Sequence, residues 1–109
     1  MARATRRRAV LAAAALAAGG AAAAQEPGPP AVGRPCMVCH GPLGQATQPD
    51  TPNLAGQPAS YLTAQLRAFR GGTRRHEVMS VIAKPLTDDD IAQLAAWFAS
   101  VRVEVSAPK

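Results

Sequence analysis

Cys36-Met37-Val38-Cys39-His40 decides how the rest of this chain is read. Two thiols stand three positions apart with an imidazole directly after the second, so three reactive groups fall within about one and a half helical turns. They are the only two cysteines in 109 residues. A disulfide between them would close too small a loop to constrain the unfolded chain much. The pair therefore points to a ligand rather than to a structural cross-link, and the flanking sequence has to show what kind of chain holds it.

Upstream, Arg3, Arg6, Arg7 and Arg8 precede an apolar run from Ala9 to Ala18, and Gly19-Gly20 lead to Ala22-Ala23-Ala24. This is the layout of a secretory signal peptide over residues 1–24. The apolar run is about half the ~20 residues that a spanning helix needs, and alanine is a weak membrane residue, so a retained anchor is the poorer reading. The whole chain carries 12 Lys+Arg against 7 Asp+Glu, a net charge of +5. That balance alone suggests a polyanion partner. Four of the 12 basic side chains lie in the leader, however, and without residues 1–24 the chain stands near +1. Nucleic acid is thereby set aside as a partner, and no membrane span is expected in the remaining chain. What is left is one small domain with a thin core, which at this size needs a staple. A bound cofactor is the expected one.

Residues 25–35 hold four prolines and two glycines and read as an extended or disordered lead-in. From Gly41 to Gln57 no helical period appears, and a loop of that length in so small a domain is expected to wrap something. Pro58 suits a helix start, Tyr61, Leu62, Leu66 and Phe69 share a broad face, and Gly71-Gly72 stop the helix. A short helical turn is expected near Val78 to Ala83. Thr87-Asp88-Asp89-Asp90 is a strong start signal, and Ile91, Leu94, Ala95, Phe98 and Val101 form an apolar stripe on a helix to about Arg102. No alternating pattern exceeds Val101 to Val105, so the class is all-α.

The central motif now acquires a chemistry. Thiols at this spacing can add to the two vinyl groups of a haem, and the next imidazole then lies close to the iron, as in c-type haem attachment. A zinc site would have only Cys36, Cys39, His40 and His76 as candidates, with Cys39 and His40 poorly placed to share one tetrahedral ion. A thioredoxin-like redox motif needs a βαβ context that is not visible. Whether the iron has a sixth ligand separates an electron carrier from an open-site haem protein. Met1 leaves with the leader and Met37 is confined between the thiols, so Met79 is the candidate methionine. Its bland reading is a core filler beside Val78, Val81 and Ile82. His76 is the rival ligand, although Arg74, Arg75 and Glu77 around it fit a solvated histidine.

These residues, with Pro52-Asn53-Leu54-Ala55-Gly56-Gln57-Pro58, Gln65-Leu66, Phe69-Arg70, Gly72 and the Leu86 to Trp97 segment, resemble class I c-type cytochromes, in particular the cytochrome c-553 and cytochrome c4 type. The resemblance covers residues 34–103. It implies a small helical fold wrapped around one covalently bound haem c, with Cys36 and Cys39 as thioether anchors, His40 as proximal ligand and Met79 as distal ligand. It also implies that the Pro52 carbonyl accepts the Nδ1 proton of His40, against the plain reading of a loop proline. Tyr61, Arg67, Arg70 and Trp97 are further candidates for the haem edge or propionates, each with a core or solvated role as the simpler assignment.

The expected organisation is thus a leader at 1–24, a lead-in at 25–35, a cytochrome c domain at 36–103 and a tail at 104–109. The expected role is a periplasmic carrier of single electrons between redox proteins, not an enzyme. The alternatives are a haem-bearing subunit fixed in an oxidoreductase complex and a haem sensor with a labile sixth ligand. Arg67, Arg70, Arg74 and Arg75, if outward, would steer an acidic partner. One departure from the family pattern stands out: the proline-rich lead-in allows about one helical turn before Cys36, so the N-terminal helix is short or missing. The C-terminal helix is then expected to lack part of its cover, leaving Trp97 or Phe98 to meet a partner subunit or a second copy of the chain.

Overall fold

The structure, a computed structural model, describes residues 9–22 and 28–109. The arginines of the expected leader, the last two residues of its alanine run and Gln25 to Pro27 lie outside the described residues. Residues 9–22 are exposed and carry no regular secondary structure. No helix among the described residues is long and apolar enough to cross a membrane.

The first regular structure is a 3-10 turn at Ala31–Gly33, which runs directly into helix α1, Arg34–His40. The lead-in expected to be extended is therefore helical from Ala31. Its prolines permit this: Pro30 precedes the turn, and Pro35 sits in the first turn of α1, where its missing N–H has no helical partner to lose. Helix α2 spans Ala59–Gly71, between Pro58 and the left-handed Gly72 whose N–H returns to the Ala68 carbonyl. Helix α3 is short, Met79–Ala83. Helix α4, Asp88–Ser100, opens with a complete capping box: the Thr87 hydroxyl accepts from the Asp90 N–H at 3.1 Å, and the Asp90 carboxylate accepts from the Thr87 N–H at 2.9 Å. It ends at Ser100, slightly short of Arg102, because Val101 is already extended. No strand occurs among the described residues.

Helices α2 and α4 pack on each other, and α3 packs on α2. Leu62 from α2 meets Leu94, Ala95 and Phe98 from α4, and Val32, Cys36, Leu54 and Leu66 lie against this cluster. The segment before α1 crosses α4 at Gly33, where a Cβ would stand 3.3 Å from Leu94 Cδ2. Phe98 is 2 % exposed, which corrects the expectation that it meets a partner. The turn before α1 comes against α4 at Leu94, and the Gly44 backbone comes against Phe98. Trp97 is half-buried against the same cluster, and its indole N–H is buried without a partner.

A polar clamp closes the other end of the α2–α4 pair. Arg70 donates to the Leu86 carbonyl at 3.0 Å and to Asp88 Oδ1 at 2.7 Å, and Arg67 Nε stands 3.7 Å from the same oxygen. The Arg70 hydrogen bond, followed by the charges of Arg70 and Arg67, holds the Asp88 carboxyl below its usual range. Asp88 is exposed, so this pair contributes little to stability, although it fixes the direction of the Arg70 side chain.

Candidate functional site: a haem cavity

The long segment between α1 and α2 is held by its own backbone. The Gly44 carbonyl accepts from Leu54 N–H at 2.7 Å and Ala55 N–H at 3.1 Å, Thr47 N–H returns to the Cys39 carbonyl at 3.0 Å, and Gly56 N–H reaches the Phe98 carbonyl at 2.9 Å. These bonds bring the loop back over the end of α1. Between this loop, α1, α2 and α3 lies a cavity of about 760 Å³, within the range of sites that enclose a small molecule. Cys36, Cys39, His40, Pro52 and Met79 all line it, together with Leu54, Leu62, Phe69 and Ile82.

His40 is buried, and its Nδ1 lies 2.8 Å from the Pro52 carbonyl oxygen. A carbonyl only accepts, so Nδ1 carries a proton, and in the neutral ring Nε2 is the nitrogen left with a lone pair. A neutral imidazole so oriented is the form that ligates a metal. Cys36 and Cys39 are both half-buried and are not joined to each other. Burial pushes the Cys36 thiol up, so it is neutral at physiological pH. Among the described residues no three His, Cys, Asp or Glu side chains converge as a metal cluster. The cavity thus offers two thiols, an imidazole and a thioether on mostly apolar walls, a donor set that fits a large flat cofactor carrying its own iron.

Other candidates separate. Tyr61 lines the cavity, whereas Arg67 and Arg70 turn away to Asp88 and Trp97 faces the core. Met37 does not line it. Arg74 is the cavity cation that sequence reasoning did not single out from its neighbours. Its guanidinium lies 4.6 Å from the Phe69 ring centroid and donates to Gln65 Oε1 at 2.7 Å. Only the fold brings α2 and the loop after it together in this way.

An all-α domain in which an imidazole with a free Nε2 and two vinyl-reactive thiols share one apolar cavity is the architecture of a class I c-type cytochrome. The family model "Cytochrome c" matches residues 17–102, and the chain belongs to that family. It is accordingly a haem-bearing electron-transfer domain; the family carries covalently bound haem c, and Cys36 and Cys39 fit its attachment motif.

Cytochrome c-554(548) of Halomonas halodenitrificans is 43% identical over 68 residues, 60% of this chain and 82% of that protein. A thiosulfate dehydrogenase electron acceptor of Stutzerimonas stutzeri is 45% identical over 69 residues, 61% of this chain but 32% of that protein. A solved cytochrome c4 of Acidithiobacillus ferrooxidans, described in terms of complex-induced tuning of electron transfer, superposes with a TM-score of 0.57. It is 42% identical and covers 61% of this chain and 38% of that one. The chain therefore spans about a third of these two longer relatives and most of the shorter one.

Proposed function

We propose that this chain is a periplasmic monohaem cytochrome that carries single electrons between redox proteins. The Cys36 and Cys39 sulfurs form the two thioethers, His40 Nε2 is the proximal ligand and the Met79 thioether the distal one. The observation that carries this reading is the 2.8 Å contact between His40 Nδ1 and the Pro52 carbonyl, which fixes the tautomer and orientation a ligand imidazole needs. Bound haem supplies an iron that accepts and returns one electron. The apolar walls from Leu54, Leu62 and Phe69 exclude water from the site, and a His/Met donor pair favours a higher potential than two histidines.

The leader pattern of residues 1–24 supports export before haem attachment. The intact mass of the exported protein tests this directly: the mass from Gln25 onward plus one haem is expected, and an unprocessed mass would refute it. The basic steering of a partner narrows to Arg75, because Arg67 and Arg70 are engaged with Asp88 and Arg74 with Phe69 and Gln65 at the cavity. A free carrier is favoured over a fixed complex subunit by the cover found over Phe98.

Carbon monoxide tests the ligand set. The reduced protein is expected to bind it slowly and Met79→Ala to bind it rapidly. Rapid binding by the unsubstituted protein would refute the closed, two-ligand site.

A further inference from the structure

His76 enters the sequence reading as a rival ligand or a solvated side chain, and its contacts give it another task. Its Nδ1 accepts from the backbone N–H of Val78 at 3.2 Å and of Met79 at 3.3 Å. Its own N–H donates to Ser80 Oγ at 3.0 Å, and its carbonyl accepts from the Ser80 N–H at 3.0 Å. The first amides of any helix lack partners within the helix, and Val78, at the cap position of α3, offers no capping side chain. His76, two residues earlier, supplies the acceptor that Ser, Thr, Asn or Asp ordinarily supplies.

Little else holds this turn. Residues 71–78 are exposed throughout, Val78 is 50% and Val81 69% exposed, and the one buried residue of α3 is Ala83 at its far end. An exposed backbone turn with few apolar contacts opens easily. Met79 is the first residue of that turn, and one of the two capped amides is its own. The imidazole also lines the cavity into which Met79 is set.

We propose that His76 is a positioning residue for Met79: its Nδ1 caps the amino end of α3 and so fixes where the Met79 thioether stands in the haem cavity. This role presupposes Met79 as an iron ligand, and the experiment separates the two ideas. In the full-chain holoprotein, His76→Ala removes the acceptor, whereas His76→Asn keeps one, since the Asn Oδ1 can occupy nearly the place of Nδ1. Two rates are read in each variant: amide hydrogen exchange at Val78 and Met79, and carbon monoxide uptake by the reduced protein.

His76→Ala is expected to raise both rates about fivefold, the size of a typical lost cap, and His76→Asn to return both to within about twofold of the starting protein. Exchange at Leu94 and Phe98 should stay unchanged, which a general loss of stability would not allow. Unchanged rates in His76→Ala, or failure of His76→Asn to restore them, would overturn the proposal. If Met79→Ala itself leaves carbon monoxide uptake unchanged, the ligation of Met79 fails instead, and amide exchange still decides whether His76 is the cap.

Discussion

Gly44 is a position where one added methyl group should disturb the packing of Phe98, which lines the cavity. Its φ is +81°, and a Cβ there would stand 2.7 Å from Ala55 N and 2.8 Å from Phe98 Cδ1. The first neighbour is backbone whose N–H is bonded to the Gly44 carbonyl, and the second is a ring that is 2 % exposed. Neither can yield cheaply. Holding alanine in the left-handed region costs roughly 1–2 kcal/mol, and forcing a methyl into packed surroundings costs about 1–3 kcal/mol more. Gly44→Ala should therefore lose roughly 2–5 kcal/mol, a large share of the ~5–15 kcal/mol that stabilises an ordinary domain.

Gly71→Ala is the control. That residue lies in the last turn of α2 without a left-handed φ, and a Cβ there meets nothing within 4 Å. It should be neutral or stabilising by up to about 1 kcal/mol. Urea titration of both holoproteins, followed by far-UV circular dichroism, measures the difference. A loss below ~0.5 kcal/mol for Gly44→Ala, the range of an ordinary surface change, would refute the packing argument.

Two further outcomes follow from α4. Thr87→Ala removes the hydroxyl acceptor of the capping box and should cost about 1 kcal/mol in the same titration, without altering carbon monoxide uptake; an unchanged urea midpoint would contradict the cap. Asp88 has its carboxyl depressed by Arg70 and Arg67, so its contribution is present above the ordinary carboxyl pKa of about 3.9 and is lost as pH falls through the lower folded value. Because the pair is exposed the effect on stability is small, and titration of the Asp88 carboxyl is the sharper readout: it should fall below the ordinary value and move back up in Arg70→Gln, and an unchanged titration in the two proteins would show that the clamp does not set it.

Helices α2 and α4 were legible because their signals are local. Pro58, Gly72 and the Thr87–Asp90 box mark ends through hydrogen bonds made within a few residues, and the Leu94–Phe98 stripe follows the helical period. Residues 31–35 form the helical turn the sequence allowed before Cys36 rather than an extended lead-in, because proline position outweighs proline count: Pro30 and Pro35 stand where helices tolerate them. Arg70 illustrates a different limit. Its partners Leu86 and Asp88 lie 16 and 18 residues on, and no periodicity connects them until α2 and α4 are packed. His76 was hidden for a third reason, since histidine is not a residue expected to cap a helix.

The sequence by itself determined the class of this protein: spacing within Cys36 to His40 is covalent geometry, and helix ends and faces are short-range physics, so neither waits on the fold. Tertiary structure decided which groups share the cavity. The Pro52 carbonyl reaches His40 Nδ1 across 12 residues, Phe98 is covered where the Gly44 backbone comes to it, and the turn before α1 comes to Leu94. Arg74 faces the cavity while Arg67 and Arg70 do not. Such juxtapositions depend on where whole elements pack, and burial of the Leu62–Leu94–Phe98 cluster, not any local rule, sets that packing.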